Sequence, residues 1–235
     1  MKKIKKFFLK SVRSTNFEIK KIKDERQLDN SIALITQIQT KGKGRGTNSW
    51  LSSKGDLMCS LLINQKFNIK DFSKINIIVS VYIVRVLNKI FNNLAFKIKW
   101  PNDIYLDQKK IGGILIENSV KKNDIEYIII GFGLNIASSP KNLNYHTTKI
   151  SNYQKSIDPK EIFNDLVDYF EKNSLLESLI NFHKLKKDWL GFYHDIGKEK
   201  NFKFNKISIS GKLKSITDDG NIEIITKDRI VTVTY

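Results

Sequence analysis

The chain has 235 residues, 40% of them hydrophobic, with one cysteine and three histidines. That is enough apolar material for a full core, while a lone cysteine excludes an internal disulfide and His146, His183 and His194 lack metal-ligand spacing. The net charge of +17 invites a nucleic-acid reading, but only Arg13, Arg26, Arg45, Arg85 and Arg229 are arginine and the lysines are spread along the whole chain, which describes a solvated surface rather than a nucleic-acid face.

The basic start, Met1 to Lys10, has too short an apolar stretch for a signal peptide, and no run reaches the length of a membrane span. The expectation is a cytoplasmic protein with no membrane partner. Ile4 to Leu9 reads as a first strand, and Ser14-Thr15-Asn16 as the cap of a short helix ending near Asp24. Ser31 to Ile38 and Leu57 to Ile63 are strand-like, and Cys59 within the second reads as a small core residue. From Asp71 to Phe91 apolar residues recur at helical spacing, giving the longest helix. Three β-like stretches follow, Phe96 to Leu106, Lys110 to Asn118 and Ile125 to Ile136. Asp158-Pro159 starts a helical region that runs to about Tyr193 with a break near Asn173. Beyond Gly197 the pattern changes to short β-like segments, Asn201 to Phe204, Lys206 to Ile209, Lys212 to Ile216, Ile222 to Thr226 and Arg229 to Thr234, as in a small barrel.

Two stretches carry chemistry. Lys41 to Trp50 places Gly42, Gly44 and Gly46 around Lys43 and Arg45 directly after a strand. Glycine lets backbone approach a ligand closely and the cations supply charge for a phosphate or carboxylate, although the spacing is neither a Walker A loop nor a dinucleotide fingerprint. In Lys99-Trp100-Pro101-Asn102-Asp103, Pro101 interrupts the strand ladder, so Asn102 and Asp103 turn into a cleft. The chain returns through a hairpin to Lys110, where Gly112-Gly113 leave room for something to lie against the backbone.

Taken together, Ser14-Thr15-Asn16, Gln39, Gly42-Lys43-Gly44-Arg45 with Trp50, Lys99 to Asp103, Lys110 with Gly112-Gly113, and Gly131 to Asn135 resemble the biotin–protein ligases in order and spacing over essentially the whole chain. The resemblance implies an α+β fold. A class II synthetase-like mixed β-sheet domain flanked by helices would span residues 1–196, and a small SH3-like β-barrel residues 197–235. It also implies an ATP-dependent ligase that forms biotinyl-5'-AMP and transfers biotin to a lysine of a carrier protein. The cofactors implied are biotin as substrate and ATP with Mg²⁺ as co-substrate, without a metal site on the protein.

On that resemblance Arg45, Lys110 and Asp103 are the catalytic candidates. Ser14, Thr15, Asn16, Gln39, Gly42, Lys43, Gly44, Arg45, Lys110, Gly112, Gly113 and Gly133 would bind biotin. Lys43, Arg45, Asn48, Trp50, Asn102, Lys110 and Asn135 would bind the nucleotide. Lys43 stands where much of the family has arginine, and Thr47 and Asn48 where the loop usually continues with glycine and a basic residue. The implied partner is the biotin carboxyl carrier protein of acetyl-CoA carboxylase or a related carboxylase, met by a monomer or homodimer. Two other readings stand beside this one. A lipoate–protein ligase would use the same acyl-adenylate logic. A DNA-binding repressor is disfavoured because Ser14 lies so near the start that no helix-turn-helix domain is expected, and hence no specific nucleic-acid partner.

Overall fold

The structure, a computed structural model, describes residues 3–141, 143–155, 157–204 and 207–234. Strands β1 (Lys5–Val12) and β2 (Ile32–Gln39) run parallel and are joined by helix α1 (Thr15–Glu25). The first strand outruns its expected end at Leu9 because β2 offers ladder partners as far as the pair Val12 and Gln39. That extension delivers the start of α1 beside Gln39. The remaining strands pair antiparallel: β3 (Leu57–Ile63), β8 (Asp124–Leu134), β7 (Lys109–Lys121), β6 (Asp103–Leu106) and β5 (Lys97–Lys99) follow β2 across the sheet. A two-residue strand, β4 (Phe67–Asn68), pairs with the beginning of β8. The single stretch expected from Phe96 to Leu106 is thus two strands folded on each other around Pro101.

Alternation assigns the two faces of this sheet. Ala33 and Ile35, Leu61 and Ile63, and Ile128, Ile130 and Phe132 point into the main core. Over that face lie α2 (Phe72–Ile90), α3 (Pro159–Lys172), α4 (Leu175–Ile180) and α5 (Phe182–Phe192), the expected helical region broken at Asn173. Helix α2 is buried nearly all round, as its apolar run requires. The opposite face carries a smaller cluster in which Ile19 and Ile22 of α1 cover Ile32, Leu34, Leu62 and Ile129.

Strands β9 (Glu199–Phe204), β10 (Ile207–Ile216), β11 (Ile222–Ile225) and β12 (Ile230–Val233) form a separate antiparallel sheet in the order β12-β11-β10-β9. Two expected segments merge into β10 because Ser210 and Gly211 stay in the ladder opposite Asn201 and Lys200; Lys206 lies outside the described residues. Phe202, Leu213, Ile216, Ile222, Ile224 and Val233 are continuous with the main core, so the C-terminal sheet is seated by apolar burial. No helix among the described residues is long and apolar enough to cross a membrane.

Candidate active site

The α1 face of the large sheet changes character along its strands. Leu62, Ile129 and Glu117 lie in register, followed by Ser60, Gly131 and Leu115, then by Met58, Gly133 and Gly113. Helix α1 covers Leu62 and Ile129, and the small residues Ser60, Gly131, Gly133 and Gly113 lie beyond its N-terminus. There the sheet borders a cleft of about 840 Å³. Its wall and floor bring together Ser14, Thr15, Asn16, Gln39, Lys43, Gly44, Arg45, Asn48, Trp50, Asn102, Asp103, Lys110, Gly113 and Gly133, drawn from five separate parts of the chain.

The glycine-rich stretch closes into a hairpin. Gly44 N–H donates to the Asn48 carbonyl at 2.8 Å, Lys43 bridges to Ser49, and Trp50 N–H donates to the Gly42 carbonyl at 3.0 Å. This turn carries Trp50 back onto the sheet. A Cβ on Gly133 would stand 2.4 Å from the indole Cε2, and one on Gly113 would stand 3.1 Å from its Cζ3. The room expected beside Gly113 therefore exists, but the Trp50 ring occupies it, because the hairpin lays that ring over Gly113 and Gly133. The indole N–H is buried and without a partner among the described residues.

Three candidates lie elsewhere. Gly112 alternates to the core face, where a Cβ would be 2.9 Å from the Gly133 carbonyl oxygen. Asn135 is 2% exposed and donates through Nδ2 to the Thr148 carbonyl at 3.0 Å. Gly42 lines a neighbouring cavity of about 740 Å³ rather than the cleft.

At the α1 end the groups are neutral. Ser14 occupies the N-cap position, yet its hydroxyl makes no capping bond, so the expected cap is a matter of backbone conformation alone. Thr15 donates twice to Gln39 Oε1, from its backbone N–H at 2.8 Å and its hydroxyl at 3.1 Å. A backbone N–H can only donate, so the Gln39 oxygen must face Thr15 and its Nε2 remains as a donor.

The other end is charged. Lys110 Nζ lies 2.6 Å from Asp103 Oδ1, with side chains 16% and 23% exposed. The same ammonium stands 5.9 Å from the Trp50 ring centroid and 5.3 Å from that of Tyr145. Asp103 opens β6 opposite Gly113, and Asn102 donates through Nδ2 to the Ile114 carbonyl at 3.0 Å. Beneath the pair, burial pushes the Tyr105 phenol up to about 12, with the Asp103 carboxylate acting in the same direction, so Tyr105 stays neutral. Cys59 is a buried core thiol whose pKa burial raises.

Sequence reasoning missed Tyr145 and Leu143, which also line the cleft. They sit in an aperiodic loop held by mutual backbone bonds between Lys110 and residues His146 and Thr148. It also missed Asp56, 2% exposed, whose Oδ1 accepts at 2.9 Å from each of the backbone N–H groups of Ile136, Ala137 and Ser138. An Asp after a glycine reads as an ordinary turn.

The sequence matches the Biotin/lipoate A/B protein ligase family over residues 8–135. It is 38% identical over 114 residues to the human biotin–protein ligase, an alignment covering 46% of this chain and 16% of that protein. It is 25% identical over 203 residues to the bifunctional ligase/repressor BirA of Bacillus subtilis, covering 84% of this chain and 62% of that one. The chain thus spans less than two thirds of the length of these relatives. The biotin protein ligase from Aquifex aeolicus in complex with biotin and ATP superposes with a TM-score of 0.81 at 27% identity, covering 98% of this chain and 96% of that one. The fold, the cleft with its paired Lys110 and Asp103, and a family match across more than half the sequence lead to one conclusion: this chain belongs to the Biotin/lipoate A/B protein ligase family.

Proposed function

We propose that the protein is an ATP-dependent ligase that activates biotin as biotinyl-5'-AMP and transfers it to a lysine of a biotin carboxyl carrier protein. The observation that carries this reading is a single cleft that brings the neutral hydrogen-bonding groups of Ser14, Thr15 and Gln39 together with the cations Lys43, Arg45 and Lys110. An amphiphilic acid with an uncharged polar head and an anionic tail fits such a lining. The cyclic urea of biotin would meet Ser14, Thr15 and the Gln39 Nε2 donor, its carboxylate the cations. The Aquifex aeolicus neighbour is in complex with biotin and ATP, which supports the same pairing of ligands.

In the first step a biotin carboxylate oxygen bonds to the α-phosphorus of MgATP and the bond to the β-phosphate oxygen breaks, releasing pyrophosphate. Anions converge in that transition state, and Lys110, with Lys43 and Arg45 on the loop, neutralises the growing charge. Arg45 can fork onto carboxylate and phosphate oxygens together, whereas Lys43 acts as a point charge. Mg²⁺ belongs to the nucleotide substrate. In the second step the acceptor lysine nitrogen bonds to the acyl carbon, the bond to the AMP oxygen breaks, and a proton leaves the amine. Asp103 holds Lys110 in place before substrate arrives, and faces the incoming amine once Lys110 turns to the phosphate.

Incubation with MgATP and an equimolar mixture of biotin and lipoate, followed by mass spectrometry, tests the reading. Biotinyl-AMP alone, and biotin on an added carrier domain, is the expected result. Lipoyl-AMP would move the chain to the lipoate branch of its family, and no adenylate would remove the activity altogether.

A further inference from the structure

Asn16 is 4% exposed, so each polar atom of its side chain must find a partner inside the protein. Nδ2 donates to Glu117 Oε2 at 2.8 Å and to the Leu115 carbonyl at 3.4 Å. Carboxylate and carbonyl oxygens only accept, so the atom facing them is necessarily the nitrogen. Oδ1 accepts from the Ser60 hydroxyl at 2.6 Å and lies against Gly131, where a Cβ would come within 2.4 Å of it. Both Asn16 and Gly131 line the cleft. The amide thus lies on the cleft floor with its oxygen nearest Gly131 and its nitrogen directed to Glu117 and the Leu115 carbonyl.

Of these partners Glu117 is the one that carries charge. It sits on the cleft face of β7, one alternation beyond Leu115, and lines the neighbouring cavity instead of the cleft. A carboxylate behind an amide can hold only one of the two amide orientations, because the flipped form would set oxygen against oxygen. We propose that Glu117 is a positioning residue that acts through Asn16, fixing the amide so that an oxygen acceptor faces an N–H group of the cyclic-urea substrate. Ser60 supports the same orientation from the other side. This rests on the biotin reading above and adds a residue that never touches the ligand.

The test is a double-mutant cycle read by biotin calorimetry, with the side-chain amide signals of Asn16 in ¹⁵N spectra as a ligand-free readout. Glu117→Ala is expected to weaken biotin about tenfold, the scale of one misdirected buried hydrogen bond, and Glu117→Gln, which keeps an acceptor, within about twofold. Glu117→Ala combined with Asn16→Ala should bind no worse than Asn16→Ala alone. Fully additive losses in the double mutant would overturn the proposal, since Glu117 would then act independently of Asn16. If the wild-type protein binds no biotin, the functional reading fails and the spectra decide alone. A shift or loss of the Asn16 amide signals on Glu117→Ala, reversed by Glu117→Gln, upholds the positioning role, and unchanged signals overturn it.

Discussion

Lys110 and Asp103 meet at 2.6 Å across a β-hairpin, and what that contact does can be read by breaking it. Lys110→Ala leaves a partly buried carboxylate without its partner, a loss of about 2 kcal/mol in denaturant unfolding, which the large core absorbs. Adenylate formation should fall by roughly a hundredfold or more, because the fixed cation is gone from the transition state. Turnover at the wild-type rate would remove Lys110 from the mechanism. Arg45 lines the cleft from the loop hairpin, and Arg45→Gly is expected to release biotinyl-AMP into solution, detected as biotin on bystander lysines. A mutant that retains its intermediate as tightly as the wild type would show that the hairpin is no lid. Trp50 reports on the same place. Trp100 and Trp189 are buried in the core while Trp50 rests on Gly113 and Gly133, so biotin should change the emission through Trp50 alone. The change should vanish in Trp50→Phe, and a persistent change would mean the ligand lies elsewhere.

At the scale of elements, the cleft depends on how loops are tied to the sheet. Asp56 is the strongest such tie. Its carboxylate gathers three consecutive backbone amides at the end of β8 and also takes the Ser53 N–H at 2.9 Å, joining the segment after the glycine hairpin to the segment after the glycine-rich strand. Asp56→Ala would remove the shared acceptor of these donors, of which only Ile136 belongs to a buried residue, and it should lose about 2 kcal/mol in urea unfolding. A loss under about 1 kcal/mol would mean that water replaces the carboxylate without penalty. The parallel pairing of β1 and β2 has a comparable role, because it brings Thr15 to Gln39 and so creates the neutral end of the cleft.

For the whole molecule, the charge of +17 is distributed rather than concentrated. Binding to a mixed-sequence DNA duplex should be measurable at low ionic strength and fall steeply by about 0.2 M salt, as counterion release dictates. A salt-resistant, sequence-specific footprint would instead require a built recognition surface. The C-terminal sheet adds no separate core of its own; its inward residues merge with those under α2, and Gly220 abuts the backbone at Ser73 and Lys74.

Much of this was legible beforehand. The helical spacing from Asp71 to Phe91, the strand runs around Cys59 and Ile130, and the Pro101 interruption each follow from local periodicity and backbone chemistry, and the structure has them close to where the residues put them. Part of the cleft was legible because glycines, cations and an Asn-Asp pair at strand ends stand out, whereas Ser14, Thr15, Gln39 and Asn48 were reached only through the family resemblance. Which glycine is bare and which is covered was not legible. Gly112 and Gly113 are adjacent in sequence and look alike, and only the register of β7 against β8 sends one to the core and the other under Trp50. Glu117, Asp56 and Tyr145 carry no local signal at all. Their partners lie far away along the chain, and a long-range hydrogen bond leaves no periodicity in a single sequence; it exists only once the sheet has brought its ends together.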